Sequence, residues 1–463
     1  MTKRSLTAWA FLVALGVPDC VHAAPSPNAP PPGNSPFDVA AAKTRISSQL
    51  DVTYPGLDAV YKDIHAHPEL AFQETRTAAL LADKMRRIGF EVAEHVGKTG
   101  LVAVYRNGAG PTVLVRTELD ALPMEEKTGL PYASHIRQMW NGAPTPVDHS
   151  CAHDAHMTWW LGTAQTLVAM KDAWSGTLVF IAQPAEETVG GAKAMVDDGL
   201  FTRFSKPDYA FAAHTGPMPL GMVIVKDGVV TSASDALEIE FHGRGGHGSA
   251  PNMTVDPIAE GAHFVSDVQT VISREKDPAA FGVITIGSFN AGSAGNIIPD
   301  HATLRLSLRS LSPEVRALQL DGVKRTAQAV AEMARAPSPS ITRTEGTDSV
   351  VNNSALVQKV LPAVKSAFGA GAVYMPSILP GFSASEDFSE ISKSGVPSVY
   401  YWVGASDPKA LADYKAKGEA APSNHSPYFA PVPEPTIRSG VELLTLSVLS
   451  VASPAGGPDQ KAR

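Results

Sequence analysis

Eight consecutive residues, His149-Ser150-Cys151-Ala152-His153-Asp154-Ala155-His156, carry six side chains that can bind protons or metals. A thiolate and an imidazole two residues apart, Cys151 and His153, can reach one cation where the backbone is extended or turning, as at a helix entrance. The same segment also reads as a buried structural cysteine beside surface histidines. A second cluster favours the metal. The apolar run Thr177–Ala182 reads as a buried strand and leads into Gln183-Pro184-Ala185-Glu186-Glu187. Carboxylates just past the carboxyl end of a parallel strand lie where open α/β sheets bind ligands. Adjacent side chains there point different ways, so one can hold metal while its neighbour shuttles protons. A solvated glutamate pair at a helix start, favoured by the helix dipole, is the plain alternative. Tyr209–Ala213 repeats the arrangement and ends at His214. Two strand ends delivering Glu and His weigh more together than either alone.

These groups need a sheet to position them. Leu57, Val60, Tyr61 and Ile64 recur at helical spacing, and a second helix is predicted from about Glu74 to Ile88, stopped by Gly89. Leu101–Tyr105 and Thr112–Arg116 read as further strands, and His156–Met170 as a helix. Alternation of apolar strands and helices predicts an α/β domain with a largely parallel sheet. The texture shifts near Ser232. Ala236–Phe241 alternates, and a Gly-rich turn and a helix over Asp256–Ser273 follow. Val283–Ile286 and Ala302–Arg309 read as antiparallel strands, then a helix over Pro313–Arg335 and a strand at Ser340–Thr344. That order suits a small ferredoxin-like α+β lobe inserted into the larger domain. From about Asn352 the α/β pattern resumes, with Ser398–Val403 as a buried strand. The expected organisation is a leader over 1–23, a Pro-rich spacer over 24–39, the catalytic domain over 40–231 and 346–453, the inserted lobe over 232–345 and a polar tail over 454–463.

Of the 463 residues, 44% are hydrophobic and 18% charged, a globular balance, and no ordered-looking apolar run reaches the roughly 18 residues of a membrane span. A formal charge of -8 argues against a nucleic-acid partner. Two cysteines, Cys20 and Cys151, invite one disulfide. Lys3 and Arg4, the apolar stretch Leu6–Val17 and the exit Val21-His22-Ala23 instead read as a secretory signal cleaved after Ala23, with a buried N-terminal helix as the alternative. Cleavage removes Cys20 and predicts an exported protein, periplasmic or extracellular, without a membrane anchor. A lone thiol in an oxidising compartment is a liability unless something uses it.

In these residues the chain resembles the dinuclear-metal amidohydrolases and metallopeptidases that include aminoacylases, hippurate hydrolase and plant auxin-conjugate hydrolases. The matching segments include His65-Ala66-His67-Pro68-Glu69-Leu70, Arg116–Pro123, Cys151–His156 and Gln183–Glu187. They continue through His214, Gly245-Gly246-His247, Asn296-Ile297-Ile298-Pro299, Glu386-Asp387-Phe388 and His425-Ser426-Pro427, in order from about residue 57 to 445. The resemblance implies two divalent ions per subunit on Cys151, His153, Glu187, His214 and His425. It makes Glu186 the general base and acid, and Asp120 a supporting carboxylate that orients the site. His425 carries no signal of its own, since a single loop histidine is usually only that. His247 and Asn296, in the lobe, would bind the substrate carboxylate or the developing oxyanion, often across a homodimer. The plain reading of Gly243–Gly248 is a flexible glycine turn with an incidental histidine.

Thiolate, imidazole and carboxylate donors favour Zn or Mn and admit Co or Ni. The implied reaction hydrolyses the amide of an N-acyl or N-aroyl amino acid with metal-activated water. Glu186 takes the proton and returns it to the leaving nitrogen. The alternatives are a dipeptidase or carboxypeptidase with the same site, and a catalytically impaired binding protein on the same scaffold. Two departures from the family pattern motivate the latter. Ala152 stands where the family has Gly, at a cost of ~1 kcal/mol if that position needs positive φ. Glu118 stands where it usually has Asp, and its longer arm is expected to reshape the surroundings of the second ion.

Overall fold

The computed structural model describes residues 37–453. The expected signal sequence, nearly all of the spacer and the polar tail lie outside them. The described chain opens on α1 (Val39–Ala66), whose first turn is capped by Asp38 accepting the Ala41 N–H, and α2 (Thr75–Arg87). Strands β1 (Glu91–Val96), β2 (Gly100–Asn107) and β3 (Thr112–Glu118) lead to α3 (His153–Ala169). Strands β4 (Gly176–Gln183), β5 (Tyr209–Pro219) and β6 (Val223–Lys226) follow.

The chain then builds a separate sheet from β7 (Ala233–His242), β8 (Gly282–Ala291), β9 (His301–Ser310) and β10 (Ser340–Thr347). Its order is β8-β9-β7-β10, wholly antiparallel, with α4 (Pro257–Asp267) and α5 (Pro313–Ala334) packed on it. Alternate residues of β7 and β9, among them Ile239, Phe241, Leu304 and Leu306, join Phe264 and Val323 in a core of their own. Period-two burial is what a sheet with one solvated face requires. The helix expected over Asp256–Ser273 stops at Asp267, and a π-helical turn occupies Val271–Glu275.

Four elements complete the larger sheet and its cover: α6 (Ser354–Phe368), β11 (Ala372–Met375), β12 (Ser398–Ser406) and, last, α7 (Pro433–Ala452). The eight strands run β1-β2-β4-β3-β5-β12-β6-β11. Pairs are parallel from β4 through β12 and between β6 and β11, and antiparallel at β1–β2, β2–β4 and β12–β6. The expected parallel sheet is therefore present at its centre. Strands β1, β6 and β11 were not expected: β1 is largely half-exposed, and β6 and β11 have four residues each. Apolar residues cover both faces. Val113 and Val115 point to the core under α1, α3, α6 and α7, while Leu114 points to a second core with Ile181, Ala212 and Tyr400. Helix α3 is buried nearly all round. It approaches α7 closely because both offer glycine: a Cβ on Gly440 would lie 2.3 Å from the Trp159 ring, and one on Gly162 2.7 Å from Val441. No helix of the described residues is long and apolar enough to cross a membrane.

Candidate metal centre

Parallel register decides where the chemistry gathers. Glu118 pairs with Gln183, and Arg116 with both Ile181 and Ala212, so β3 and β4 end level with one another while β5 runs on past that level to Pro219. Just beyond the ends of β3 and β4 come Asp120 and Glu186 with Glu187, whereas His214, expected at a strand end, stands within β5 at the same level. Helix α3 starts at His153, three residues before the expected His156, because Ala152 turns the chain in the left-handed region at φ 66°. The turn puts Cys151 and His153 beside the strand ends, and both are buried. Surface histidines beside a structural cysteine are thereby excluded as a reading of the segment. Ala152 carries the conformational cost that a family glycine avoids.

The donor atoms converge. Cys151 Sγ lies 3.4 Å from His214 Nε2 and 3.3 Å from His425 Nε2. His425 Nε2 is 3.3 Å from Glu187 Oε2, and His153 Nε2 is 3.8 Å from Glu186 Oε2 and 3.9 Å from Glu187 Oε1. Atoms that share one tetrahedral ion sit roughly 3.4–3.8 Å apart for bonds of about 2.0–2.3 Å. Two sets whose donor atoms all lie within 4.8 Å of one another share the thiol: Cys151 with His153 and His214, and Cys151 with Glu187 and His425. His153 Nε2 and Glu187 Oε1 are buried without any hydrogen-bond partner. Buried polar atoms are almost always satisfied, so orphaned donors facing one another mark a place built for cations. The five residues fit two divalent ions.

Four of the five ligands are aimed by a second contact. His153 Nδ1–H donates to the Asp120 carbonyl at 2.7 Å, and His214 Nδ1–H to the Thr215 carbonyl at 2.7 Å, leaving both Nε2 lone pairs for metal. The Asp120 carboxylate accepts the backbone N–H of Glu186 and of Glu187, both at 2.9 Å, which fixes the turn that presents the two glutamates. That turn is tight. Ala185 has φ 49°, and a Cβ on Gly191 would fall 1.5 Å from the Pro184 carbonyl oxygen. His425 reaches in from a loop at φ 68°, its N–H donating to Ser150 O at 2.9 Å.

Electrostatics point the same way. Burial, then the Glu187 and Glu186 carboxylates, push the Cys151 thiol well up. Burial pushes His153 well down, so its imidazole is neutral and free to ligate. Burial and the nearby Glu386, Glu187 and Asp387 raise Glu186 far above the usual carboxylate range. A cation among these groups reverses the balance for the thiol and the acids.

Arg116, Glu386 and Asp387 lie in segments that match the family, and the structure gives them a role. The Arg116 guanidinium is fully buried and donates to Glu386 Oε1 at 2.6 Å, Asp387 Oδ1 at 3.2 Å and Gln183 Oε1 at 2.9 Å. Tyr400 OH adds a bond to Glu386 at 2.8 Å. This network lies against Glu186, with Glu186, Glu386 and Asp387 grouped within 4.8 Å. Glu118 belongs to it and not to the donor cluster: one oxygen meets Arg116 and the other accepts His156 Nδ1–H at 3.1 Å. Its charge still reaches two of the donors, opposing the fall of His153 and adding to the rise of Cys151. His156 is used up by Glu118 and the Thr215 N–H and is no ligand. His65, beneath the first turn of α3, lies in another matching segment. It bonds Asp154 at 2.6 Å and Glu126 at 3.1 Å. Burial opposes its charge, but the two carboxylates outweigh burial and hold it at about 10.

His247 and Asn296 come together with each other and not with the donors. The Gly248 N–H donates to Asn296 O at 2.8 Å, and Ser249 donates to His247 Nδ1 from both its N–H and its hydroxyl. Both residues are exposed, and neither bonds any of the five ligands.

Residues 114–449 match the profile of the Peptidase family M20/M25/M40. The chain belongs to this family. It is 41% identical over 279 residues to the hippurate hydrolase of Campylobacter jejuni, covering 59% of this chain and 70% of that protein. It is 33% identical over 386 residues to thermostable carboxypeptidase 1 of Saccharolobus solfataricus, covering 82% and 91%. The crystal structure of a dinuclear metal-binding M20 peptidase from Bacillus subtilis superposes with a TM-score of 0.68 at 25% identity, covering 89% of this chain and 99% of that one. As an M20 member the protein is a metal-dependent amidohydrolase or peptidase, and the dinuclear neighbour agrees with two divalent ions at the donor sets above.

Proposed function

We propose that the protein hydrolyses the amide bond of N-acyl and N-aroyl amino acids, releasing a carboxylic acid and an amino acid, after export and cleavage at Ala23. The observation that carries the reading is the pair of orphaned donors, His153 Nε2 and Glu187 Oε1, among Cys151, His214 and His425. Zn or Mn ions held there would supply Lewis acidity and acidify the attacking water. Glu186, in contact range of that cluster and crowded by Glu386 and Asp387, accepts the proton of the water and returns it to the departing nitrogen. Asp120 positions Glu186 and Glu187 through their backbone amides. Arg116 holds Glu386 and Asp387 in place behind the base. His247 and Asn296, adjacent on the exposed lobe loop, bind the substrate carboxylate or the oxyanion once the lobe of this chain or of a second copy approaches.

The hippurate hydrolase relative favours an acyl substrate, and the carboxypeptidase relative favours a peptide. Turnover of N-acetyl amino acids, N-benzoyl amino acids and dipeptides by the purified, metal-loaded protein separates the two. Fastest hydrolysis of an N-acyl or N-benzoyl amino acid is expected, and fastest hydrolysis of a dipeptide would replace this reading with the peptidase one.

A further inference from the structure

A cavity of about 770 Å3 lies well away from the metal donors. Pro397 and Ser398 wall it at the start of β12, whereas His214 pairs with Trp402 further along the same strand. The opposite wall is α5, which contributes Pro313, Ala317 and Leu320. Both crossings between the eight-stranded domain and the four-stranded lobe run along it, one at Val229 and Ala233, the other at Asp348–Asn353. Junctions between domains are where small-molecule sites commonly form, and the volume is within the usual range of about 300–1,000 Å3.

The charges lining the cavity are uneven: Arg316, Arg343 and Lys393 against Asp348 alone. Arg316 is fully engaged, by Asp235 through Nε and Nη2 and by Asp348 through Nη1. Arg343 is not. Its Nε meets Asp235 at 2.6 Å, while its two terminal amines have no acceptor among the described residues. The chain makes room for that guanidinium, since a Cβ on Gly346 would lie 2.0 Å from Arg343 Nη2. Lys393 bonds Asp348 and Glu390 and keeps a third N–H. A planar pair of free guanidinium N–H groups is the geometry that takes a carboxylate or sulfonate by two parallel bonds.

We propose that this cavity binds a small amphipathic organic anion, its acidic group on the terminal amines of Arg343 and its apolar body between α5 and the Val396–Pro397 turn. The inference is independent of which amide the enzyme cleaves.

The test uses the full metal-loaded protein and two fluorescent probes, anionic 8-anilino-1-naphthalenesulfonate and neutral N-phenyl-1-naphthylamine. One anionic probe per chain is expected. Arg343→Gln should weaken the anionic probe about tenfold and leave the neutral one unchanged, the loss expected for one charged pair of hydrogen bonds. Ala317→Trp, which fills the cavity, should abolish binding of both, with hydrolytic rate and thermal midpoint retained. Equal binding by Ala317→Trp and wild type would place the probe elsewhere and overturn the proposal. So would indifference of the anionic probe to Arg343→Gln, a result that stands even if the tryptophan variant does not fold. Probe binding that disappears as the protein self-associates would give the cavity to a second copy and overturn it as well.

Discussion

The metal centre and the loop that carries His247 and Asn296 are both assembled from short motifs, yet the fold treats them in opposite ways. At the centre Cys151, His153 and His214 are buried, Glu187 is nearly so and only His425 is exposed, and Asp120, Thr215 and Ser150 aim ligands through backbone contacts. On the lobe, the two polar side chains are exposed and only local bonds, Gly248 N–H to Asn296 O and Ser249 to His247 Nδ1, tie them down. Three adjacent parallel strands that bring their donors to one level can preorganise them, because the sheet is rigid and its core is packed on both faces. A lobe joined by two crossings cannot do so alone. The difference teaches that the chain separates holding metal, which needs rigidity, from gripping substrate, which needs approach.

The largest effect that would sharpen this contrast is on metal content. Cys151→Ser removes the donor common to both sets, and its metal affinity should fall by more than the ~10–100-fold typical of losing an outer-shell partner. His247→Ala should keep full metal content and lose activity only. Equal metal content in both variants, by elemental analysis, would erase the distinction. A smaller effect is in stability against pH. His65 has a folded pKa of about 10 against an ordinary value near 6.5, so it binds a proton more tightly when folded. Its stabilisation is whole below about pH 6.5 and declines as pH rises, vanishing above about 10. Denaturant unfolding of the metal-free protein should show that decline, and His65→Gln should flatten it; an unchanged slope would remove the charged His65–Asp154–Glu126 support. The smallest effect is at Ala152. Its φ of 66° suits glycine, so Ala152→Gly should stabilise the metal-free protein by up to ~1 kcal/mol, and a loss of stability would contradict the strained entrance.

Much of this centre was legible in the sequence because strand ends announce themselves. The apolar run Thr177–Ala182 leads into Glu186 and Glu187, Tyr209–Ala213 leads to His214 although the strand itself runs on to Pro219, and a two-residue spacing joins Cys151 to His153. Other parts were illegible for physical reasons. His425 owes its place to a left-handed loop residue and a bond to Ser150, neither of which leaves a pattern in the chain. Arg116 meets Glu386 across 270 positions, and no periodicity encodes a buried ion network of that span. The start of α3 was set three residues late because polar residues crowd it, whereas the fold buries them. Short strands such as β6 and β11 fall below the length at which alternation shows.

The central claim is that Glu186 moves the proton while its neighbours hold the ions. Glu186→Gln, loaded with metal and assayed on the best N-acyl amino acid, tests it most directly when metal content and kcat are measured on one preparation. The account predicts two ions per chain as in wild type and a kcat lower by about 10²–10⁴-fold. Wild-type turnover with both ions bound would contradict it.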